Sequence, residues 1–328
     1  MALTNRQFDE ISREFDRKRT KALREQEERV EQVRKQIPEL VPIEEKIISL
    51  YAAQARFKLD GQTGEAEELG RKIAALRSEK QRLLAEADIP EDYDELKSEC
   101  PFCGDTGFVN GEKCSCFKQA EIRLLYHQSR MDRILERENF DTFDLSCYDR
   151  EKVWPGEERT PYENAKRTLE ACRQFVREFP EKGGNLLLIG ETGVGKTFLL
   201  HCIAKALLDQ RVPVVYLSAQ EMFDILSRSY FRRDDDDDAE ETDTGLFSAQ
   251  VLIIDDLGTE MNNSFTSSQL FACLNRRAAD GLSTLISTNL SGSRLQEEYS
   301  GRIVSRIVGN YKVLALYGAD IRKLKAQR

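Results

Sequence analysis

Between residues 161 and 317 the apolar residues come in short unbroken runs. NLLLIG (185–190), VPVVYLS (212–218), AQVLIIDD (249–256), STLISTN (283–289) and YKVLALY (311–317) are β-rich. Runs of this length without alternation predict strands buried on both faces. Helical stretches separate most of them, which predicts a parallel α/β sheet. The first 88 residues follow another pattern. Ala66, Leu69, Ile73, Leu76, Lys80 and Leu83 recur at spacings of three and four, an a/d seam with one polar interruption. Upstream, Phe8, Ile11, Phe15, Ala22, Val30, Val33 and Ile37 form a sparser stripe along a long charged helix. Pro38 and Pro42 are expected to break that helix, and DGQTG (60–64) to form a turn. The expectation is a helical hairpin or short coiled coil without a catalytic constellation. A stripe this narrow builds no large core, so it serves either self-association or docking on the helices of another protein.

Charge adds an asymmetry. The 328 residues carry a net charge of −9, so the overall basic footprint of a dedicated nucleic-acid binder is missing. Arg302 to Arg328 nevertheless holds seven basic residues against one acidic, whereas 234–243 holds eight acidic residues and no basic one. The acidic run reads as a solvated loop; the basic tail is either plain surface or a place to meet phosphates. No apolar run is long enough to cross a membrane and no leader is apparent, so the chain is expected to be cytoplasmic, with no membrane partner.

Cytosolic thiols stay reduced, which argues against a disulfide framework for the eight cysteines. Four of them, Cys100, Cys103, Cys114 and Cys116, form a C-x-x-C and a C-x-C pair ten residues apart. Four thiolates in two close pairs suit tetrahedral zinc, with Gly104, Gly107 and Gly111 permitting the reversals between them. A redox pair or an iron–sulfur cluster are the alternatives. Cys172, Cys202 and Cys273 fall in apolar helical patterns and read as ordinary buried thiols. Cys147 is uninformative, and His127 and His201 read as incidental.

The strongest chemistry lies at GETGVGKT. Gly190, Gly193, Gly195, Lys196 and Thr197 fit G-x-x-x-x-G-K-[ST], between an apolar strand and an apolar helix. Glycines let backbone N–H groups turn onto phosphates, Lys196 can reach the outer phosphates, and the Thr197 hydroxyl can hold Mg²⁺. Glu191, Thr192, Val194 and Phe198 complete the expected nucleotide-binding stretch. Asp255 and Asp256 end an apolar strand 59 residues after Lys196. One carboxylate can hold the magnesium shell and the other can orient or deprotonate water; a plain strand-ending turn is the alternative. Asn289 ends the next strand, where an amide can position water.

Together, Gly190–Thr197, LIIDDLGTE (252–260), STLISTNL (283–290) and GRIVSRI (301–307) resemble an AAA+ ATPase. More narrowly, the chain from about 140 onward is similar to bacterial replicative-helicase loaders of the DnaC/DnaI type and to the related IstB-type transposition ATPases. NFDTFD, ahead of the module, resembles that family's entry segment. The resemblance implies a doubly wound five-stranded parallel sheet, ATP bound between neighbouring subunits, and self-assembly on single-stranded DNA. It makes Lys196 and Thr197 the Walker A residues, Asp255 and Asp256 the Walker B pair, and Asn289 sensor 1. Arg306 matches the trans arginine finger and Arg322 the sensor 2 arginine; for each, a surface salt bridge is the alternative. Two departures stand out. Only 39 residues follow Asn289, too few for a full helical lid, and Asp256 stands where many AAA+ ATPases have glutamate, which points to modest hydrolysis.

The organisation expected is a helical partner-binding arm (1–98), a zinc knuckle (99–118), a helical linker (119–138) and an AAA+ ATPase domain (139–328). The function expected is an ATP-dependent loader of a hexameric replicative helicase, using ATP, Mg²⁺ and Zn²⁺. An IstB-like transposition ATPase or a protein-remodelling ATPase are the alternatives.

Overall fold

A computed structural model describes residues 5–125, 131–232, 244–260 and 263–326; the acidic run 234–243 and His127 lie outside them. The chain divides into two compact units, Ser12–Glu112 and Met1–Ile11 with Lys113–Arg328.

Helices α1 (Asn5–Gln36), α2 (Leu40–Leu59) and α3 (Thr63–Glu86) account for most of the first unit. The break after α1 falls at Pro38. Pro42 does not break anything: it sits in the first turn of α2, where its missing N–H has no helical partner to lose. The turn expected at DGQTG joins α2 to α3 as a hairpin. The seam is present, with Ala66 and Ile73 buried and Leu69, Leu76 and Leu83 partly so. Val33, Ile37, Leu40, Leu84 and Tyr93 close a small core at one end of it.

Lys80, the polar interruption of the seam, is explained by its partners. Its ammonium lies 2.9 Å from Glu44 Oε1 and 3.3 Å from Asp94 Oδ2, over the Tyr93 ring. Arg34 donates to the other oxygen of Glu44 at 2.8 Å. A charge on the seam is held by two carboxylates, which sets the register of the three helices at that level.

A two-stranded hairpin, β1 (Phe108–Val109) with β2 (Glu112–Lys113), precedes α4 (Ser115–Leu125) and α5 (Met131–Arg137). The larger unit continues with α6 (Pro161–Lys182), β3 (Leu186–Ile189), α7 (Lys196–Asp209), β4 (Val214–Ser218), α8 (Ala219–Arg232) and α9 (Thr244–Ser248). Then come β5 (Val251–Leu257), α10 (Ser264–Ala279), β6 (Ser283–Thr288), α11 (Gly292–Glu298), α12 (Gly301–Asn310), β7 (Lys312–Ala315) and α13 (Ile321–Ala326). All five expected strands form, and they pair in parallel in the order β4-β5-β6-β3-β7. That order brings β3 and β5, whose C-terminal ends carry the motifs, to either side of β6.

Helices cover both faces of the sheet, hence the unbroken apolar runs. On one face Leu186, Leu188, Ile253 and Leu285 pack under α6 and α7; on the other Leu252, Ile254 and Ile286 pack under α8, α10 and α12. The edge strand β4 is paired on its free side by α4, whose Gln119 amide oxygen accepts from the Val214 N–H at 3.0 Å. Cys172, Cys202 and Cys273 are buried as expected. His201 is buried too, but its Nδ1 lies 2.6 Å from Glu138 Oε2, so it is a bonded member of the core. Among the described residues, no helix is long and apolar enough to cross a membrane.

Candidate nucleotide site

The loop between β3 and α7 leaves the sheet at Gly190 and turns back through Gly193 and Gly195, with φ of 85° and 102°. A Cβ on Gly195 would come 2.7 Å from the Tyr148 hydroxyl, which itself donates to the Val194 carbonyl at 2.8 Å. Only glycine fits there, both for space and for φ. The loop ends at the N-terminus of α7, where unpaired backbone N–H groups favour an anion.

A cavity of about 510 Å³ opens over this loop. Thr192, Gly193, Gly195, Lys196, Thr197, Phe198, Asp255, Asp256, Asn289 and Arg322 line it, so most of the expected site is in one place. The Lys196 ammonium donates to the carbonyls of Gly190 and Glu191, each at 2.8 Å, and to Asn289 Oδ1 at 2.6 Å. Burial lowers its pKa, and the carboxylates of Asp256 and Asp255 oppose that only partly. The Thr197 hydroxyl donates to Asp255 Oδ1 at 3.2 Å, and the Asn289 amide to Asp256 Oδ1 at 3.4 Å. Burial and the neighbouring Asp255 charge push the Asp256 carboxyl above the usual aspartate range. Val194, by contrast, faces the core and is fully buried.

The departure at Asp256 has a local counterpart. The register of β5 on β6 shifts between Ile254 and Leu257, and Asp256 takes a left-handed φ of 55°. Asp tolerates that region far better than most side chains. Arg322 follows Asp320, whose carboxylate accepts from the Arg322 N–H at 3.0 Å, and Ile321 N–H bonds the Gly193 carbonyl. These bonds set the start of α13 against the phosphate loop.

Arg306 is not in this cavity. It lies on α12, bonded to Asn275, in a cleft shared with Lys182, Asn185 and Leu282. Those residues precede β3 and β6, whereas the phosphate loop follows β3, so Arg306 sits toward the opposite end of the strands.

Several lining residues were not singled out from the sequence: Glu138, Phe143, Asp144, Cys147, Tyr148 and Ile321. Phe143 and Asp144 fall in the segment NFDTFD, with Glu138 just before it and Cys147 and Tyr148 just after it, and that segment was the available signal. Phe143 packs edge-on to Phe198 and against Tyr148, forming an aromatic wall.

Residues 163–326, half of the chain, match the model of the family described as IstB-like ATP binding protein. The chain belongs to this family. The chain is 30% identical to the replicative helicase loader DnaI of Bacillus subtilis over 129 residues, 38% of this chain and 40% of that one. It is 20% identical to the replicative helicase loader DnaC of Buchnera aphidicola over 212 residues, 62% of this chain and 83% of the other. A crystal structure of the DnaC helicase loader aligns with a TM-score of 0.45 at 22% identity, covering 56% of this chain and 98% of that one. The match thus spans less than half of the Bacillus protein. For an IstB-like ATP-binding module, the donors found here suit the phosphates and a divalent cation: an ammonium, a hydroxyl beside a carboxylate, and a second carboxylate beside an amide.

The second predicted cluster also assembles. The sulfurs of Cys100, Cys103, Cys114 and Cys116 all lie within 4.8 Å of one another. Asp105, buried and at φ 58°, accepts from the Glu99 and Cys100 N–H groups, and Gly107 N–H points at Cys103 Sγ at 3.4 Å. This is a donor set that can hold a soft metal ion.

Proposed function

We propose that this chain is an ATP-hydrolysing loader of a replicative DNA helicase, with nucleotide state as the switch for binding and release. The observation that supports it most is the single cavity joining Lys196, Thr197, Asp255, Asp256 and Asn289 in a chain that also carries a helical arm and a cysteine cluster. A bare ATPase module needs neither addition; a protein that must grip a dedicated partner does. The similar proteins named replicative helicase loaders lend the partner class.

Within the cavity, Lys196 would leave Asn289 for the outer phosphate oxygens. Thr197 and Asp255 would hold magnesium, which screens phosphate charge when bound. Asp256 would take the proton of the attacking water, and Asn289, released by Lys196, would orient it. Arg322 would face the nucleotide of its own subunit. Arg306, toward the other end of the strands, would serve a neighbour's nucleotide, with single-stranded DNA aligning the subunits along the basic tail. The arm (1–98) and the knuckle (99–118), with zinc on its four cysteines, would bind the helicase, and 119–138 would link them to the ATPase domain (139–328).

The test mixes two variants. Lys196→Ala and Arg306→Ala should each be inactive alone, since a finger contributes about 10³–10⁵ in rate. Mixed, they should regain part of the activity with single-stranded DNA present, each supplying what the other lacks. A dead mixture of folded, co-assembled variants overturns the shared site. Gel filtration with purified hexameric helicase reads the partner: no complex with or without ATP overturns the loader reading and favours the alternative of an IstB-like transposition ATPase.

A further inference from the structure

Asp255 is held by neighbours that no motif names. Residues two apart on a strand share a face. On β5, Val251 and Ile253 pack into the cluster under α6 and α7, and Asp255 continues their row. Tyr216 on β4 belongs to the same cluster, as does Leu285 on β6, two residues before Ser287. The parallel register pairs Ser218 with Asp255, two positions beyond Tyr216. The pleat therefore sets Tyr216, Asp255 and Ser287 on one face across three adjacent strands, beyond the apolar rows of Val251, Ile253 and Leu285.

Their hydrogen bonds divide the carboxylate between them. The Tyr216 hydroxyl donates to Oδ2 at 2.8 Å. The Ser287 hydroxyl donates to Oδ1, which also accepts from Thr197 at 3.2 Å and from the Asp256 N–H at 3.1 Å. Tyr216 is 8% exposed and Asp255 7%. The His201 ring lies 5.0 Å from the tyrosine ring, centroid to centroid, and is itself tied to Glu138. A buried phenol in such a cluster is isosteric with phenylalanine except for the hydroxyl, so what distinguishes tyrosine here is the bond to Asp255.

We propose that Tyr216 is a positioning residue for Asp255, with Ser287 as its counterpart. By holding Oδ2, the tyrosine stops the carboxylate from rotating and keeps Oδ1 turned toward Thr197, where a magnesium nucleotide would be held. This rests on the reading of Asp255 as a metal carboxylate. Partners in the outer shell of a metal site change metal affinity about 10–100-fold.

The experiment follows binding of a fluorescent ATP analogue to the full chain while Mg²⁺ is titrated, without reference to turnover. Wild type should bind the analogue more tightly as Mg²⁺ rises, and Asp255→Asn should lose most of that gain. Tyr216→Phe should need about tenfold more Mg²⁺ for half the gain, yet match wild type in EDTA. An unchanged Mg²⁺ midpoint overturns the proposal, as does an equal loss of affinity with and without Mg²⁺, which marks a packing role. A wild type that gains nothing from Mg²⁺ overturns the reading of Asp255 instead. Should Tyr216→Phe not fold, as judged by its thermal transition, Ser287→Ala is read in the same way: a raised midpoint supports the row, an unchanged one removes it.

Discussion

In the sheet module Leu188, Ile253, Ile254 and Leu285 are wholly buried, whereas the hairpin of α2 and α3 buries only Leu40, Ala66, Ile73 and Leu84. The module covers β3 to β6 on two faces and leaves only the edge strand β7 largely open; the hairpin presents one narrow seam and leaves Ile48, Tyr51 and Leu59 exposed. Polar groups differ in the same way. In the module those of the motifs converge on one cavity, with Thr197, Tyr216 and Ser287 on one carboxylate, while the buried Arg277 guanidinium is held apart from it by Thr284 and three backbone carbonyls. In the arm they form exposed pairs such as Lys72–Glu68 along the helix and one tight cluster around Glu44. A two-sided sheet can carry a strained, charge-rich site on its rim because its core holds it regardless. A one-sided seam has to take its register from charges.

That contrast is tested most strongly in the core. Ile253→Ala leaves a cavity between two covered faces and should cost about 2–5 kcal/mol. Leu76→Ala, on the half-open seam, should cost about 1 kcal/mol. Denaturant unfolding of the full chain, followed by circular dichroism, measures both; equal costs would erase the distinction.

A smaller effect is expected at Glu44. Burial alone would raise its pKa, but hydrogen bonds from Tyr93, Lys80 and Arg34 outweigh burial and hold it below the usual glutamate range. Its contribution is therefore fully present above the unfolded value of about 4.3 and is lost as pH falls through the folded one. Glu44→Gln should lower stability by about 1–2 kcal/mol at pH 7, allowing for partial solvent exposure of its partners. Its stability should also fall less steeply than that of wild type below about pH 4.3. Parallel acid limbs for the two proteins would place the register elsewhere. The smallest effect belongs to Lys72→Ala, which removes an exposed i,i+4 pair and should cost about 0.3–0.5 kcal/mol, vanishing at high salt.

Much of this was legible before any coordinates. The unbroken apolar runs placed all five strands: β3 to β6 are covered on two faces and leave no polar face to interrupt them, while β7, at the edge, keeps its apolar run although it is largely exposed. Glycine and lysine spacing located the phosphate loop, since backbone N–H groups can face phosphates only where side chains are absent. The cysteine spacing located the four thiols, because the two pairs flank one short hairpin, the second pair running into the start of α4. Pro42 was misjudged because proline has two meanings, and which applies depends on whether its N–H would have had a partner.

What periodicity could not supply was the identity of distant neighbours. Lys80 looks like a flaw in a seam until Glu44, Asp94 and Tyr93, remote in sequence, are folded onto it. Tyr216 reads as one more β-former in VPVVYLS, and His201 as an incidental polar residue in an apolar helix. Only the pairing of β4 with β5, and the packing of α7 on that face, brings them to Asp255 and Glu138. Arg306 was singled out from its motif as a candidate; that it lies away from its own phosphate loop comes from its packing beside Asn275 on α10 and the residues ahead of β3 and β6. Local chemistry and burial are written in adjacent residues, because a loop or a strand face is built from neighbours along the chain. Which hydroxyl holds which carboxylate is decided by strand order and register, and those exist only once the chain has closed on itself.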